Sequence, residues 1–99
     1  MLYMILGREA ENGLERRMAS REAHLARLRA LVDEGRLVLA GPLPAIDAED
    51  PGPAGFAGSL VVAEFPDLQA AREWADSDPY VQSGAWTGSE VHPFKGVLP

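Results

Sequence analysis

The segment Ser20–Ala40, SREAHLARLRALVDEGRLVLA, decides the fold because a helical pattern changes to an extended one at a single glycine. Apolar residues recur at threes and fours before that glycine, which predicts a helix within residues 13–34. This stripe consists of Leu14, Met18, Leu25, Leu28, Leu31 and Val32. Gly35 lies where a helix needs a left-handed C-cap. Leu37–Ala40 then predicts a strand that ends at Gly41-Pro42.

The start of the helix is predicted from Ser20. Serine is a good N-cap, so we expect the main helix to begin near Arg21, after a short helical turn. His24 would then lie in the first turns, where the helix dipole disfavours a charged imidazolium. In helical projection His24 is within about 40° of Leu28, which places it on the inward face or at its border.

The rest of the chain supplies three more strands and a second helix. The predicted strands are Leu2–Leu6, closed by Gly7, then Gly58–Phe65, and finally Ala85–Phe94 at a sheet edge. The second helix follows Asp67 as N-cap and is broken by Asp78-Pro79, with one more turn over Tyr80–Ser83. Residues 43–55, rich in proline and glycine, predict a long loop, and such loops often act as lids.

This order of elements, βαββαβ, predicts one domain over residues 1–99 with an α+β, ferredoxin-like fold. Its four-stranded antiparallel sheet would carry both helices on one face. The first three strands are nearly continuous in apolar residues, which indicates burial on both faces. Because the chain has no third helix, we expect a homodimer whose sheets pack face to face. The alternative is that some apolar side chains are simply exposed.

Composition excludes several classes of function. The net charge is −6 and the basic residues are scattered, which argues against nucleic acid and against an anionic membrane surface. With no cysteine, the chain has no disulfide, no thiolate nucleophile and no cysteine-ligated metal. The short apolar start lacks the features of a signal peptide, and no run is long enough to span a membrane. We therefore expect a cytoplasmic protein.

A histidine and a carboxylate that meet in a pocket can move a proton at neutral pH, and His24 and Asp78 are the candidates. Each also has a structural interpretation: His24 as a histidine at the core edge, Asp78 as a helix cap before proline. Arg21, one turn before His24, could bind a ligand anion or be a solvated residue. Tyr80 could line the pocket or merely pack, and Ser59 could offer a pocket hydroxyl.

Other constellations are weaker. His24 and His92 are the only two histidines, too few for a metal site without placed carboxylates, so no metal is expected. No nucleophile elbow surrounds Ser59, and the glycines form no phosphate-binding motif, so no cofactor is expected either. Trp74 and Trp86 are expected in the core or at an interface.

Four motifs give the chain a resemblance to a known family. They are RxxHLxxLxxLxxEGRLxxAGPxP over Arg21–Pro44, DPGxAGFxGS over Asp50–Ser59, WADxDPYVxxG over Trp74–Gly84, and PFK over Pro93–Lys95. Together they resemble the YciI-like (YCII-related) family nearly from end to end. The resemblance implies a ferredoxin-like fold of the dimeric α+β barrel type, which dimerises through its sheets. It also implies a site on His24 and Asp78, with Arg21 and Ser59 at matching motif positions.

The resemblance leaves the substrate open. One member of the family removes chloride from a chlorinated hydroxyhydroquinone, and relatives include muconolactone isomerases and small monooxygenases. The first hypothesis is a small cofactor-independent enzyme that uses the His24–Asp78 pair for acid/base chemistry, as an isomerase, a lyase or a hydrolase. The second is a non-catalytic dimeric module that binds a small ligand or a partner protein. The third is an oxygen-dependent monooxygenase.

Overall fold

The computed structural model describes residues 1–99 and confirms the predicted βαββαβ order. The strands are β1 (Leu2–Glu9), β2 (Leu37–Pro44), β3 (Phe56–Glu64) and β4 (Trp86–Phe94). The helices are α1 (Leu14–Asp33), α2 (Leu68–Asp76) and the single turn α3 (Pro79–Gln82). One 3-10 turn, Gly52–Ala54, interrupts the loop between β2 and β3. No helix has the length and apolar character that crossing a membrane requires.

All strand pairs are antiparallel, in the order β2-β3-β1-β4. β4 therefore lies at a sheet edge, as the sequence predicted. Ile5 at the centre of β1 is in register with Val61 of β3 and Val91 of β4, and all three are buried in the core. Because side chains alternate across a strand, these positions fix which residues face the helices. Leu28 and Leu31 of α1 pack on this face.

The opposite face of the sheet is apolar and only partly covered. On β1, Leu2, Met4 and Leu6 point to this side and are half-buried, alternating with the buried residues of the core face. Leu39 of β2 and Phe94 of β4 lie on the same side, with 49% and 44% of their surfaces exposed. The nearly continuous apolar strands of the sequence thus correspond to apolar positions on both faces of β1 and β3, while β4 places Glu90 and His92 on the open face.

The predicted start of the first helix is wrong. α1 begins at Leu14, after Gly13, and runs without a break through Ser20. A serine inside a helix costs only a few tenths of a kcal/mol, and the buried face of α1 includes Arg17 before it and His24 after it, whereas Met18 and Val32 of the predicted stripe are exposed. His24 consequently lies in the third turn, and a dipole effect that fades within the first turn does not apply to it.

Two predicted strand ends are also wrong, since Gly7 and Gly41-Pro42 lie inside β1 and β2. Gly7 faces the indole ring of Trp86, and a Cβ at this position would overlap that ring. Pro42 is tolerated because β2 is an edge strand, where a missing N–H can face solvent. Glycine and proline thus serve close approach and edge position here, and neither ends the strand.

Both predicted aspartate caps are present. The side chain of Asp67 accepts a hydrogen bond from the Ala70 N–H at 2.8 Å at the start of α2. The side chain of Asp78 accepts one from the Tyr80 N–H at 2.9 Å at the start of α3. Pro79 occupies the first position of α3, where proline costs no hydrogen bond. This cap fixes the carboxylate of Asp78 at the point where α3 meets α1.

Candidate active site

The fold brings His24 and Asp78 into contact across 54 positions of sequence. Nδ1 of His24 lies 2.9 Å from each carboxylate oxygen of Asp78. His24 is 5% exposed and Asp78 is fully buried. An ionised carboxylate can only accept, so Nδ1 carries the proton in this contact. The neutral imidazole is thereby held in the tautomer whose Nε2 has a free lone pair.

Asp78 has two further partners besides the imidazole. It accepts the cap hydrogen bond from the Tyr80 N–H, and Nη1 of Arg27 lies 3.3 Å from its Oδ2. Arg27 also donates to the carbonyl of Trp74 at 2.8 Å and stacks on the ring of that residue. Burial lowers the pKa of the Arg27 guanidinium below its ordinary value, and the charge of Asp78 opposes this shift. A buried carboxylate with this set of donors stays oriented toward His24.

The imidazole of His24 is fixed by aromatic rings. Tyr80 stacks on it with ring centroids 4.0 Å apart and planes 15° from parallel. The ring of Trp86 meets it edge to face at 5.7 Å. Nε2 has no hydrogen-bond partner in the chain, but it is not sealed, since the buried unpartnered side-chain atoms are Trp86 Nε1 and Ser89 Oγ. The free nitrogen of the pair is therefore reachable from outside.

A cavity of about 150 Å³ opens at His24 between α1 and the β2–β3 side of the sheet. Of the predicted site residues, His24, Arg21, Ser59 and Tyr80 line it, and Asp78 lies behind His24. The remaining wall consists of Arg17, Leu25, Leu28, Ala40, Gly41, Pro42, Leu60 and Val61. No residue of the loop 43–55 forms part of this wall, so the expected lid does not reach the cavity.

Two arginines of the site escaped the sequence reasoning. Arg17 is buried beside the cavity, and Arg27 contacts Asp78. Arg17 lies four residues before Arg21 and seven before His24, so all three share one face of α1. That spacing was the available signal, but the predicted break at Ser20 separated Arg17 from the face that carries His24.

Other sequence candidates lie elsewhere. His92 is exposed on β4, in register with Met4 on the face away from the helices. Trp86 is buried and Trp74 packs against the core, as expected of structural tryptophans. No three side chains of the histidine, cysteine, aspartate and glutamate types come together as a metal site would need.

Ionisation of Tyr80 should lower the free energy of unfolding at alkaline pH. Burial raises its pKa above the ordinary value of 10.0, while the charges of Arg17 and Arg21 oppose the shift. Since the folded pKa is the higher one, folding favours the neutral phenol. This contribution is complete below about pH 10 and is lost as the pH rises through the folded pKa. We expect the free energy of unfolding, from urea titrations at increasing pH, to fall more steeply above about pH 10 than in Tyr80→Phe. Parallel curves for the two proteins would contradict this linkage.

Comparison with known proteins agrees with the fold and with the motifs. The family model of the YCII-related domain matches residues 1–95. Protein YciI of Escherichia coli O6:H1 is 56% identical over 98 residues, which cover 99% of this chain and 100% of the relative. An uncharacterised protein of Haemophilus influenzae is 54% identical with the same coverage of this chain and of its own length.

A solved structure shares the fold. It is 5-chloro-2-hydroxyhydroquinone dehydrochlorinase from Burkholderia phenoliruptrix AC1100, in complex with 2,5-dihydroxybenzoquinone. It superposes with a TM-score of 0.81 at 25% sequence identity, over 96% of this chain and 94% of the other. A family match over nearly the whole length, together with relatives above 50% identity, confirms the family expected from the motifs. The chain belongs to the YCII-related domain family.

Proposed function

We propose that this chain is a small enzyme that moves a proton on a small substrate, with His24 as the general base and acid. One observation carries the proposal: Nδ1 of His24 is held by both oxygens of Asp78, while His24 lines a cavity and its Nε2 has no partner in the chain. Imidazole is the side chain best suited to proton transfer near pH 7, and such transfer requires no cofactor.

Asp78 acts as the positioning residue. Its carboxylate fixes the tautomer of His24 and stabilises the imidazolium that forms when Nε2 takes a proton. The cap at α3 and the contact with Arg27 hold the carboxylate, so it does not have to reorganise during the reaction. Preorganised charge of this kind lowers the barrier without a cost at the moment of reaction.

Elimination is the reaction class that we favour. The structural neighbour is named as a dehydrochlorinase, and loss of hydrogen chloride begins with removal of a proton. Isomerisation also begins with that step, and hydrolysis needs the same base to activate water. Arg21, Ser59 and Tyr80 are proposed to bind the substrate, because they line the cavity around Nε2.

Proton exchange tests this function with simple compounds in place of the natural substrate. Small cyclic ketones and 5-chloro-2-hydroxyhydroquinone are incubated with the protein in D₂O, and C–H exchange and chloride release are followed by NMR and by a chloride electrode. We expect catalysed exchange or release with the native chain and a rate lower by about 10²–10⁴-fold with His24→Gln. Equal rates for the two proteins would overturn the proposal and leave the non-catalytic binding module. Product formation that depends on oxygen would favour the monooxygenase alternative.

The partner that we propose is a second copy of the chain, packed on the open face of the sheet. Leu2, Met4 and Leu6 run along the centre of this face, and Leu39 and Phe94 extend it to both edge strands. Contiguous apolar surface of this kind marks an interface more often than free surface, and a chain of 99 residues has a thin core of its own. The cytoplasmic location stays a prediction.

The dimer has its own test. We expect light scattering after gel filtration to give twice the chain mass of 10.7 kDa. Leu39→Lys should shift the protein toward the monomer, because it places a charge within the proposed apolar contact. Met18→Lys is the matched control, since Met18 is an exposed apolar residue on α1. A native chain that elutes as a monomer at high concentration would exclude this partner.

A further inference from the structure

The cavity beside His24 is positively charged, although the chain as a whole is acidic. Arg17 and Arg21 line it, and no aspartate or glutamate does. Arg21 forms no ion pair within the chain, which has 15 acidic and 9 basic residues. An unpaired guanidinium at a cavity without carboxylates attracts an anion.

Arg17 is fixed more rigidly than a surface arginine. Its Nε and Nη2 donate to the carboxylate of Glu9 at 2.9–3.2 Å, and Nη2 also meets the carbonyl oxygen of Gly58 at 3.1 Å. The guanidinium carbon lies 4.8 Å from the ring centroids of both Phe56 and Tyr80. This enclosure defines the plane of the guanidinium and hence the directions of its N–H groups.

One nitrogen of the Arg17 guanidinium makes no hydrogen bond within the chain. Nη1 has no acceptor in the chain, and it is not among the buried atoms that lack a partner, so it remains accessible. Since Arg17 also forms part of the cavity wall, Nη1 is a donor that a bound molecule can reach. The Arg17 guanidinium also acts on the Tyr80 hydroxyl, whose pKa is raised by burial and lowered by the charge and hydrogen bonding of Arg17.

Ser59 provides a second donor at the same place. Its Oγ accepts a hydrogen bond from Nη2 of Arg17 at 2.9 Å, and the hydroxyl donates to no group of the chain. Because Arg17 supplies the hydrogen of that contact, the hydroxyl hydrogen of Ser59 is free to point into the cavity. Ser59 and Arg17 therefore form a pair of donors held by β3, α1 and Glu9.

The remaining wall limits the size and polarity of the ligand. Leu25, Leu28 and Val61 contribute the apolar part of the wall. A cavity of about 150 Å³ is of the size that accommodates one benzene ring. A ligand that suits both halves is a single ring with one charged oxygen group.

We infer that Arg17 and Ser59 receive an anionic oxygen of a one-ring substrate, while Nε2 of His24 faces the bond that loses the proton. That the bound anion is the substrate rests on the proposed function. When Nε2 takes the proton from a carbon beside a ring carbonyl, the C–H electron pair forms a C=C bond and the carbonyl π pair moves onto the oxygen, which becomes the anionic enolate or phenolate oxygen that these donors hold. The donors then stabilise the charge that develops on this oxygen, as in an oxyanion hole. A carboxylate would fit the same donors.

The test measures binding alone, by equilibrium dialysis with three one-ring probes. These are 4-nitrophenolate, benzoate and the neutral 4-nitroanisole, at a pH where nitrophenol is ionised. We expect one or both anions to bind about tenfold or more tightly than 4-nitroanisole, since hydrogen bonds to charged groups are the strong ones. The preferred anion tells a phenolate site from a carboxylate site, and either result supports the inference.

Variants connect the binding to the donors. Ser59→Ala and Arg17→Lys should each weaken the binding of the anion by about tenfold and leave the binding of 4-nitroanisole unchanged. Ser59→Ala is the safer variant, because Nη2 of Arg17 keeps Glu9 and the Gly58 carbonyl as acceptors. Arg29→Lys on the exposed side of α1 is the control. Equal binding of all three probes, or an anion preference that survives both variants, would overturn the inference. Anion binding without proton exchange would instead overturn only the proposed function.

Discussion

Replacing His24 by glutamine is expected to lower the rate of the catalysed reaction by about 10²–10⁴-fold, the usual contribution of a general acid or base. Glutamine is similar in length and can still donate to Asp78, so the buried carboxylate keeps a partner. It cannot take a proton at neutral pH. The measurement is the rate of proton exchange or chloride release at saturating substrate, with circular dichroism to show that the fold is intact.

Asp78→Asn should cause a comparable loss for a different reason. The amide oxygen can still cap α3 through the Tyr80 N–H, so the fold should survive. Its NH₂ group then faces Nδ1 of His24 and favours the other tautomer, in which Nε2 carries the hydrogen. A base without a lone pair toward the substrate cannot accept a proton.

The control for this variant is Asp76→Asn, which removes an exposed carboxylate at the end of α2. It should leave the rate unchanged, because Asp76 contacts neither His24 nor the cavity. If Asp78→Asn retained the full rate in a folded protein, the carboxylate would be a helix cap and nothing more. Asp78→Ala is less informative, because loss of the cap alone costs about 1 kcal/mol and His24 would also lose its partner.

The sequence predicted the pairing of elements better than their ends. Short apolar runs rich in β-forming residues identify the strands, a period of three to four residues identifies the helices, and their order admits few topologies, so the βαββαβ plan followed. The predicted helix start was wrong because Ser20 has the chemistry of a cap, while the buried face of α1 runs past it from Arg17 to Leu31. The prediction that the first strand ends at Gly7 was wrong for a similar reason. The strand continues because Trp86, almost 80 residues later, packs against this glycine.

For a related reason, the sequence alone could not predict which side chains lie close together. That His24 and Asp78 meet follows from the packing of α1 on α3, which no local pattern encodes. Arg17 illustrates the limit more strongly, since its partners come from β1 and from β3. A buried arginine can be recognised only when the position of the carboxylate that pairs with it is known. In the sequence, Glu9 is indistinguishable from an ordinary charged residue at the end of a strand.

The ion pair of Arg17 and Glu9 is expected to give the largest single effect on stability. Both side chains are buried, with 6% and 7% of their surfaces exposed, and the closest N–O distance is 2.9 Å. Glu9→Leu removes the carboxylate and leaves the guanidinium without its counter-ion inside the protein. Breaking a buried pair in this way costs about 3–5 kcal/mol, because the remaining charge stays desolvated. Urea denaturation gives the value, and one fixed protein concentration for all variants keeps the contribution of any oligomerisation comparable.

The double variant Glu9→Leu/Arg17→Met separates the cost of a lone charge from the worth of the pair. Replacing both partners by apolar residues of similar volume is often neutral, so we expect most of the lost stability to return. The exposed pair of Glu22 and Arg29 on α1, at 3.8 Å, is the control. Glu22→Leu should change stability by no more than about 1 kcal/mol. If Glu9→Leu were equally mild, solvent would be reaching Arg17 and the rigid donor would be absent. If the double variant regained its stability and lost anion binding, the main role of the Arg17–Glu9 pair would be to bind the anion and not to stabilise the fold.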